Sequence, residues 1–170
     1  MIRSAGPGDL AAIQEIYNEA IINTTAVYDY KPYTMAARTL WYEDKVNAGL
    51  PVLVYEEGNL VVGFATFGPF RAKPAYKYTI EHSVYVHNKH RGKHIGTILM
   101  QELIKLANAQ GYATMVAGID ASNLGSRTMH EKMGFCFSGT IHKAGYKFGR
   151  WLDLSFYQYK LAGPDKPTEE

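Results

Sequence analysis

One stretch of this chain, residues 78–106, joins a strand pattern to a helix pattern through a basic turn. From Tyr78 to Val86 hydrophobic and polar side chains alternate, which is the period of a β-strand. Beyond the turn, residues 95, 99, 103 and 106 are Ile or Leu at helical spacing, and the pattern stops before Gly111. The stretch therefore predicts a central strand that leads directly into the longest helix of the chain.

The flanking sequence contains further strand and helix patterns. Their order is strand, two helices, three strands, helix, strand, helix, strand and strand, which mixes antiparallel meanders with crossovers and defines an α+β (α/β mixed) fold class. Thr34 is the predicted N-cap of the second helix, Gly49 its predicted end, and the turn formers at 56–59 predict a hairpin. The other strands are predicted at Ile2–Ala5, Pro51–Tyr55, Leu60–Phe67, Thr114–Ile119, Phe135–Ile141 and Trp151–Tyr159, and the other helices at residues 10–21 and 126–132. Residues 1–162 are expected to form a single domain, followed by a disordered tail at 163–170.

Composition excludes several classes of protein. The 18 basic and 16 acidic residues nearly balance, and no basic run forms a phosphate-binding stripe, so nucleic acid is not an expected partner. The apolar runs are well short of the roughly 20 residues of a membrane span, and the first residues lack the apolar core of a signal peptide, so we expect a soluble, cytoplasmic protein without a membrane partner. Cys136 is the single cysteine, and its apolar-alternating segment predicts a buried, inert thiol.

The basic turn is the strongest indication of function. Residues 91–96 read Arg-Gly-Lys-His-Ile-Gly and lead into the predicted helix. The first N–H groups of a helix lack intrahelical partners and lie at the positive end of its dipole, so they can hold a pyrophosphate. Gly92 and Gly96 allow a close approach of the backbone, and Arg91 and Lys93 add positive charge. The spacing fits neither a P-loop nor the Gly-x-Gly-x-x-Gly dinucleotide turn.

At this turn the sequence resembles the GCN5-related N-acetyltransferase (GNAT) superfamily. The family motif is Arg or Gln, two residues, Gly, one residue, then Gly or Ala, and it reads here Arg91-x-x-His94-x-Gly96, with His94 in place of the first Gly. Within the superfamily the chain is similar to the phosphinothricin and methionine sulfoximine (methionine sulfone) acetyltransferases. The blocks that carry this resemblance are Ile16–Asn18, Asn23–Ala26, Thr79–Val86 and Lys147–Asp153.

The resemblance implies a GNAT fold and an acetyl-coenzyme A (acetyl-CoA) site. In this fold a central mixed, mostly antiparallel, twisted sheet of about seven strands is flanked by about four helices and splits in a V between strands four and five. Acetyl-CoA would be the acetyl donor, and no metal is implied. The residues that would contact it are Val84, Tyr85, Val86, Arg91, Gly92, Lys93, His94, Ile95, Gly96, Asn123 and Ser126. The resembling enzymes form two-fold dimers, so a homodimer is expected.

Acetyl transfer to an amine needs a proton acceptor, an oxyanion donor and a proton for the leaving thiolate. Glu81 projects from the central strand near the expected thioester and is the candidate general base. An ion pair with Lys77 or another basic side chain is the alternative, and the resemblance to the phosphinothricin group favours catalysis. His82 is expected on the opposite face as a core residue, unless a β-bulge re-aims it. His130 stands where many superfamily members carry a Tyr that protonates the thiolate, so it is the candidate acid. Helix packing explains this histidine about as well, and the thiolate would then leave unassisted or take a proton from water. A backbone N–H near Val84 is the candidate oxyanion donor.

The expected acceptor is the α-amine of a small amino-acid analogue such as methionine sulfoximine, methionine sulfone or phosphinothricin. Lys77 and Tyr78 precede the central strand, where relatives tend to carry an Arg, and a cation there can clamp a carboxylate. Phe148 matches the sulfoximine type, since the phosphinothricin-specific pattern has a His. The predicted substrate-binding residues are Tyr28, Lys77, Tyr78, Thr79 and Glu81, with Phe67 and Trp151 as further packing candidates or ordinary core residues.

Two other functions stay open. One is acetylation of a polyamine, an aminoglycoside or a protein N-terminus, and the first two need a markedly acidic pocket that the predicted residues do not form. The other is a non-catalytic module that binds acetyl-CoA. The position of Glu81 disfavours that module.

Overall fold

The computed structural model describes residues 1–169, in which seven strands and four α-helices follow the predicted order. The elements are β1 (Ile2–Ser4), α1 (Leu10–Asn23), α2 (Met35–Asn47), β2 (Val52–Glu57), β3 (Leu60–Pro69), β4 (Thr79–Val86), α3 (Ile95–Ala109), β5 (Thr114–Asp120), α4 (Leu124–Lys132), β6 (Cys136–Lys147) and β7 (Arg150–Lys160). Short 3₁₀ turns at Pro7–Asp9, Pro74–Tyr76 and Asn88–His90 complete the secondary structure of this part of the chain. The predicted α+β class is confirmed.

The strands form one mixed sheet in the order β1-β2-β3-β4-β5-β7-β6. The pairs β1–β2, β2–β3, β5–β7 and β6–β7 are antiparallel, whereas β4 and β5 run parallel. The parallel pairing joins Thr79–Glu81 to Thr114–Val116. Both strands then continue, to Val86 and Asp120, and this arrangement is the V-shaped split of the expected GNAT fold.

Contacts along the chain divide it into two compact units. The first unit consists of Met1–Phe67 and Ser83–Leu103, and the second of Gly68–His82 and the chain from Ile104 onward. In the first unit, α1 packs on β2 and β3 through a core of Leu10, Ile13, Ile16, Val52, Val54 and Phe64. The second unit is built on β5, β6, β7 and α4, and its fully buried side chains include Met115, Ala117, Leu152 and Tyr157.

Local sequence signals explain the element boundaries of the first unit. The Thr34 hydroxyl accepts a hydrogen bond from the Ala37 N–H, which caps α2 as predicted. Gly49, with a φ of 67°, follows the end of that helix. Gly58 and Asn59 both have positive φ values, 57° and 67°, which is the geometry of a tight hairpin turn between β2 and β3.

Arg38 is buried in an aromatic cluster of the first unit. Its guanidinium carbon lies 4.5 Å from the ring centre of Tyr17, 4.6 Å from that of Trp41 and 5.0 Å from that of Tyr33. The side chain is 1% exposed, and within residues 1–169 its Nε and Nη2 have no hydrogen-bond partner. Burial lowers the pKa of this guanidinium, while the facing rings stabilise the cation.

Two predictions for the second unit are wrong in detail. β6 does not end at Ile141 but continues to Lys147, and its register with β7 shifts between Phe137 and Gly139 and again between Ile141 and Gly145. Cys136, expected to be buried, is exposed at the start of β6. The first three residues of β6, Cys136, Phe137 and Ser138, are all exposed, so burial stops at Phe135 just before the strand.

Of residues 1–169, no helix is both long and apolar enough to cross a membrane.

Candidate active site

Glu81 lies on β4, in the part of the strand that belongs to the second unit. Strand alternation places its neighbours Ile80 and His82 on the other face, and both are buried, at 1% and 8% exposure. The expectation that His82 is a core residue on the opposite face is therefore confirmed. Glu81 itself is half-buried and pairs in register with Val116 of β5.

The Glu81 carboxylate occupies the space above Gly118. A methyl group built on Gly118 would lie 3.1 Å from Glu81 Oε1, 3.5 Å from Leu154 Cδ1 and 3.7 Å from Phe156 Cε1. Burial among these groups raises the pKa of Glu81, and the positive charge of Arg71 partly offsets the rise. A carboxylate with a raised pKa is suited to accept a proton near neutral pH.

A cavity of about 350 Å³ lies in the second unit, and Glu81 itself is not among its lining residues. It is lined by Phe70, Tyr76, Thr79, Thr114, Val116, Ser138, Phe156, Tyr157 and Gln158. Val116 is the register partner of Glu81, and Phe156 lies with the carboxylate over Gly118, so the cavity and the carboxylate share one face of the sheet. Aromatic walls with a few polar groups, and a volume at the small end of ligand sites, fit a small molecule.

Two cations lie near the start of β4. The guanidinium carbon of Arg71 is 4.5 Å from the ring centre of Phe70, a cavity residue. Lys77 Nζ lies 5.2 Å from the ring centre of Tyr78, whose hydroxyl accepts a hydrogen bond from the Thr168 N–H at 3.0 Å. Of the predicted substrate-binding residues, Thr79 lines the cavity, whereas Tyr28, Lys77, Tyr78 and Glu81 are outside its lining.

His130 is buried on α4 and faces His82. The Nε2 atoms of the two rings are 3.0 Å apart, and the rings stack at 5.0 Å between centroids and 15° between planes. His130 Nδ1 lies 2.7 Å from the carbonyl oxygen of Ser126. Burial lowers the pKa of His130, and its hydrogen bond to the Ser126 carbonyl opposes that shift.

The start of α4 brings two predicted cofactor residues together. Asn123 is the N-cap, and its side-chain oxygen accepts the Ser126 N–H at 3.1 Å. The Ser126 hydroxyl is 3.4 Å from His130 Nδ1. The helix begins at Leu124, two residues earlier than predicted, because the Asn123 cap defines its first turn.

In the first unit, the basic turn precedes α3 as the sequence predicts. His94, which replaces the glycine of the family motif, has a φ of 60°, and Gly92 has a φ of 79°. The side chains of the turn already have carboxylate partners: Arg91 Nη2 is 2.8 Å from Glu19, and Lys93 Nζ is 3.3 Å from Glu57. Left-handed backbone followed directly by a helix start directs successive N–H groups to one place, which is an anion-binding arrangement.

The other predicted contact residues differ in how deeply they are buried. Val84, Tyr85 and Val86 are partly buried, and the Tyr85 ring packs 5.1 Å from that of Phe64. Phe67, a packing candidate for the acceptor, is fully buried in the core of the first unit. The remaining candidates Tyr28, Phe148 and Trp151 are exposed, at 36%, 56% and 56%.

Sequence reasoning missed Arg71, Gly118 and Phe156. Arg71 lies in an irregular segment that gives no periodic signal, and Gly118 and Phe156 come next to Glu81 only through the pairing of β4, β5 and β7. Gly118 does interrupt an otherwise apolar strand, and a glycine there often marks a close approach. Within residues 1–169, no group of three or more His, Cys, Asp or Glu side chains is arranged to hold a metal ion.

Comparison with known proteins agrees with this geometry. Residues 11–135 match the acetyltransferase (GNAT) family, which is more than half of the chain. The chain therefore belongs to the acetyltransferase (GNAT) family.

Individual relatives match almost the whole chain. A methionine sulfoximine/methionine sulfone acetyltransferase of Salmonella typhimurium is 44% identical over 167 residues, which are 96% of this chain and 98% of the relative. The crystal structure of an N-acetyltransferase from Staphylococcus aureus Mu50 superposes with a TM-score of 0.94 at 56% identity, over 94% of this chain and 97% of that one. A phosphinothricin acetyltransferase from Sinorhizobium meliloti, solved in complex with acetyl-CoA, has a TM-score of 0.95 at 36% identity, over 99% of this chain and 93% of that one.

Proposed function

We propose that this protein transfers an acetyl group from acetyl-CoA to the α-amine of a small amino-acid analogue such as methionine sulfoximine, methionine sulfone or phosphinothricin. The observation that carries the proposal is the half-buried carboxylate of Glu81 on the same sheet face as a cavity of about 350 Å³ with aromatic walls. The names of the relatives from Salmonella typhimurium and Sinorhizobium meliloti support the same donor and acceptors.

Glu81 is the proposed general base. An amine attacks a thioester only when it is neutral, so its ammonium proton must first be accepted. Burial raises the pKa of Glu81 and brings its basicity closer to neutral pH than that of an exposed carboxylate. The amine then forms a bond to the carbonyl carbon, and the C–S bond breaks as the thiolate leaves.

His130 and a backbone N–H near Val84 complete the proposed chemistry. The N–H group would stabilise the oxyanion that forms on the carbonyl oxygen. His130, buried on α4, is the proposed source of the proton for the thiolate, and the family resemblance supports this role. Both of its ring nitrogens already have neighbours, Ser126 and His82, so it works as one member of a pair.

Acetyl-CoA is the proposed donor, held by the residues that the family motif identifies. Its pyrophosphate would bind the N–H groups at the start of α3, with Arg91 and Lys93 adding charge. The positive φ of His94 supports this assignment, because the backbone takes the conformation that the family glycine would take. The proposed contact residues are Val84, Tyr85, Val86, Arg91, Gly92, Lys93, His94, Ile95, Gly96, Asn123 and Ser126.

The acceptor is proposed to bind in this cavity, on the same sheet face as Glu81. None of its nine lining residues is acidic, which disfavours a polyamine or an aminoglycoside as the acceptor. Arg71 and Lys77 are the proposed partners of the acceptor carboxylate, and Thr79 is a proposed wall contact. Tyr28 and Tyr78 are also proposed to contact the acceptor.

The first experiment measures release of free coenzyme A from acetyl-CoA with a panel of amines. The panel contains methionine sulfoximine, methionine sulfone, phosphinothricin, free amino acids, spermidine and a peptide. Turnover on the first three supports the proposal. Turnover on spermidine or peptide alone would contradict the proposed acceptor, and binding of acetyl-CoA without any turnover would favour a non-catalytic binding module.

The base is tested by Glu81→Gln, which keeps the shape and removes the proton acceptor. We expect kcat to fall by about 10² to 10⁴, the usual contribution of general base catalysis, with the Kd for acetyl-CoA unchanged. Glu43→Gln, a change at an exposed position on α2, is the matched control. Near wild-type turnover of Glu81→Gln at neutral pH would remove Glu81 as the base.

A homodimer is the proposed assembly. The β6–β7 hairpin exposes Phe137, Ile141, Tyr146, Phe148 and Trp151, each about half accessible. Apolar side chains concentrated on one hairpin are typical of a surface that a second copy covers. Light scattering should give twice the 19.0 kDa chain mass, and Trp151→Lys should give the monomer mass. A monomeric wild type would contradict the proposal.

A further inference from the structure

Four uncharged polar side chains line the cavity of the second unit and make few hydrogen bonds within the protein. They are Thr79, Thr114, Ser138 and Gln158. Gln158 Nε2 donates to Thr114 Oγ1 at 3.4 Å, and Ser138 Oγ donates to the Cys136 carbonyl oxygen at 3.4 Å. Both distances are long for hydrogen bonds of these groups. The four side chains therefore keep donors and acceptors available for a molecule in the cavity.

Aromatic and aliphatic side chains form the apolar walls of the same cavity. Phe70 packs edge-on against Tyr76 and Phe156, with 5.9 Å and 6.5 Å between ring centres. Val116 adds an aliphatic surface. Small-molecule sites combine apolar walls with a few polar groups that fix the orientation of the ligand. The cavity has both features.

Gln158 and Glu81 stand in one row across the sheet. Val116 of β5 pairs in register with Glu81 of β4 and also with Gln158 of β7. Side chains in register on neighbouring strands point to the same face, so Glu81 and Gln158 face the same side of the sheet. Neighbouring strands are roughly 4.8 Å apart, so the backbones of these two residues are separated by roughly 10 Å. The amine and the side chain of one small amino acid can therefore lie near the two residues at the same time.

A β-bulge on β6 contributes Ser138. Phe137 pairs with Tyr157 and Gly139 pairs with Phe156, so β6 has one residue more than β7 in this interval. Ser138 is that extra residue, and it lines the cavity. Bulges of this kind are frequent next to active sites. The bulge thus places a strand residue without a partner on β7, and its hydroxyl group, at the cavity.

We infer that Gln158, with Thr114 and Ser138, recognises the side chain of the acceptor, and that this side chain carries an uncharged hydrogen-bond acceptor such as a sulfone or sulfoximine oxygen. The inference rests on the proposed function and names a specificity-determining residue for it. The ammonium group of the acceptor lies toward Glu81, and its carboxylate lies toward Arg71, whose positive charge acts on the Glu81 carboxyl. The acceptor side chain then extends along the row toward Gln158.

The uncharged character of these polar residues decides between acceptors. No Lys, Arg or His is among the residues that line the cavity. An anionic side chain such as that of phosphinothricin would lose its hydration there without gaining a cation as a partner. Methionine has no oxygen on its sulfur, so it would leave the polar groups unpaired, which also costs free energy. We therefore expect methionine sulfone and methionine sulfoximine to be better acceptors than either.

Gln158→Leu tests the recognition of the acceptor side chain, because it keeps most of the volume and removes the amide. We expect kcat/KM for methionine sulfone to fall about tenfold, with kcat/KM for methionine unchanged, since only the sulfone loses a hydrogen bond. Gln110→Leu, at an exposed position just after α3, is the matched control. Equal losses on both substrates, or an unchanged value for the sulfone, would overturn the inference.

Gln158→Lys tests the role of charge. A cation at this position can pair with a phosphinate, so the ratio of kcat/KM for phosphinothricin to that for methionine sulfone should rise about tenfold. A residue that only supports the fold would change both values together. A ratio that stays at the wild-type value would therefore count against Gln158 as the specificity residue.

Binding separates this inference from the proposed function. The side-chain amide of Gln158 gives a resonance in ¹⁵N-labelled protein, and it is assigned by its loss in Gln158→Leu. With coenzyme A present, saturating methionine sulfone should shift this resonance more than methionine does. A wild type that acetylates none of the amines would defeat the proposed function, and the Gln158 resonance would still report contact with the sulfone. No binding, or an unshifted resonance at saturation, would overturn the inference.

Discussion

The carboxylate of Glu81 lies against the bare backbone of Gly118, where a methyl group would approach its Oε1 to 3.1 Å. Few Cβ atoms in proteins have so close a neighbour, so any side chain at position 118 must displace the carboxylate. Phe156 and Leu154 limit where it can go, since their carbon atoms lie 3.7 Å and 3.5 Å from the same point. Gly118 thus helps to fix the position of the proposed base.

Gly118→Ala should lower kcat by about fivefold, and Gly118→Val by about 10²-fold, because small displacements of a reacting group are costly. The KM for acetyl-CoA should not change. Steady-state kinetics on methionine sulfone measures both values. Gly8→Ala, at a glycine with no atom within 4 Å of an added methyl group, should leave kcat unchanged. Wild-type kcat in Gly118→Val would contradict this role for Gly118.

The pH profile should respond to Arg71. Burial raises the pKa of Glu81, so kcat/KM should fall as the pH drops through a midpoint above that of an ordinary glutamate. The charge of Arg71 lowers this pKa, so Arg71→Gln should move the midpoint to higher pH. Lys73→Gln, also exposed, serves as the control. A midpoint that stays in place or moves to lower pH would refute the coupling between Arg71 and Glu81.

The same carboxyl should also affect stability. A folded-state pKa above the unfolded value means that the folded protein binds the proton more tightly, so stability is gained as the pH falls through the folded pKa. Glu81→Gln should therefore raise Tm more at pH 8 than at pH 5, because the cost of a buried charge grows with the charged fraction of Glu81. Calorimetry at the two pH values measures this difference. A lower Tm at pH 8 would mean that the charged carboxylate stabilises the fold.

Arg38 offers a test of a buried cation among aromatic rings. Arg38→Ala should cost about 3 kcal/mol of unfolding free energy, because a large buried side chain leaves a cavity. Arg38→Met restores most of the volume but not the charge, and should cost about 1 kcal/mol through the lost cation–π contacts. Urea unfolding at pH 7 gives both values. Equal losses in the two variants would assign the whole effect to the charge.

His94 should carry a conformational cost. Its φ of 60° is in the left-handed region, which a residue with a side chain occupies at a cost of about 1 kcal/mol. His94→Gly should therefore raise the unfolding free energy by about that amount, and Gly92→Ala, at a φ of 79°, should lower it. Denaturant unfolding of the two variants checks both signs. A loss of stability in His94→Gly would mean that the imidazole makes a compensating contact.

The sequence was sufficient for the order of the elements but not for all of their ends. Regular alternation and capping residues such as Thr34 marked most boundaries correctly. The predicted β6 ends at Ile141 because the register shifts between Ile141 and Gly145, which breaks the alternation on which the prediction depends. Irregularities of this kind appear in a sequence only as scattered glycines.

The residues of the candidate site also fall into those that the sequence identifies and those that it does not. Glu81, His130 and the turn at residues 91–96 stand in continuous motifs, so a single sequence is enough to identify them as candidates. Arg71, Gly118 and Phe156 are contributed by separate segments and meet Glu81 only because strands far apart in the chain are paired. The contact between His130 and His82 could not be predicted either, because the sequence indicates only that His82 is a core residue.

The exposed thiol of Cys136 has a practical consequence for every assay that detects free coenzyme A with a thiol reagent. The chain has a single cysteine, and because it is accessible it adds a background of one equivalent of thiol per chain. The same property allows attachment of one spectroscopic probe at a defined place. Cys136 lies two residues before Ser138, which lines the cavity, so a fluorophore at this position should report when an acceptor enters.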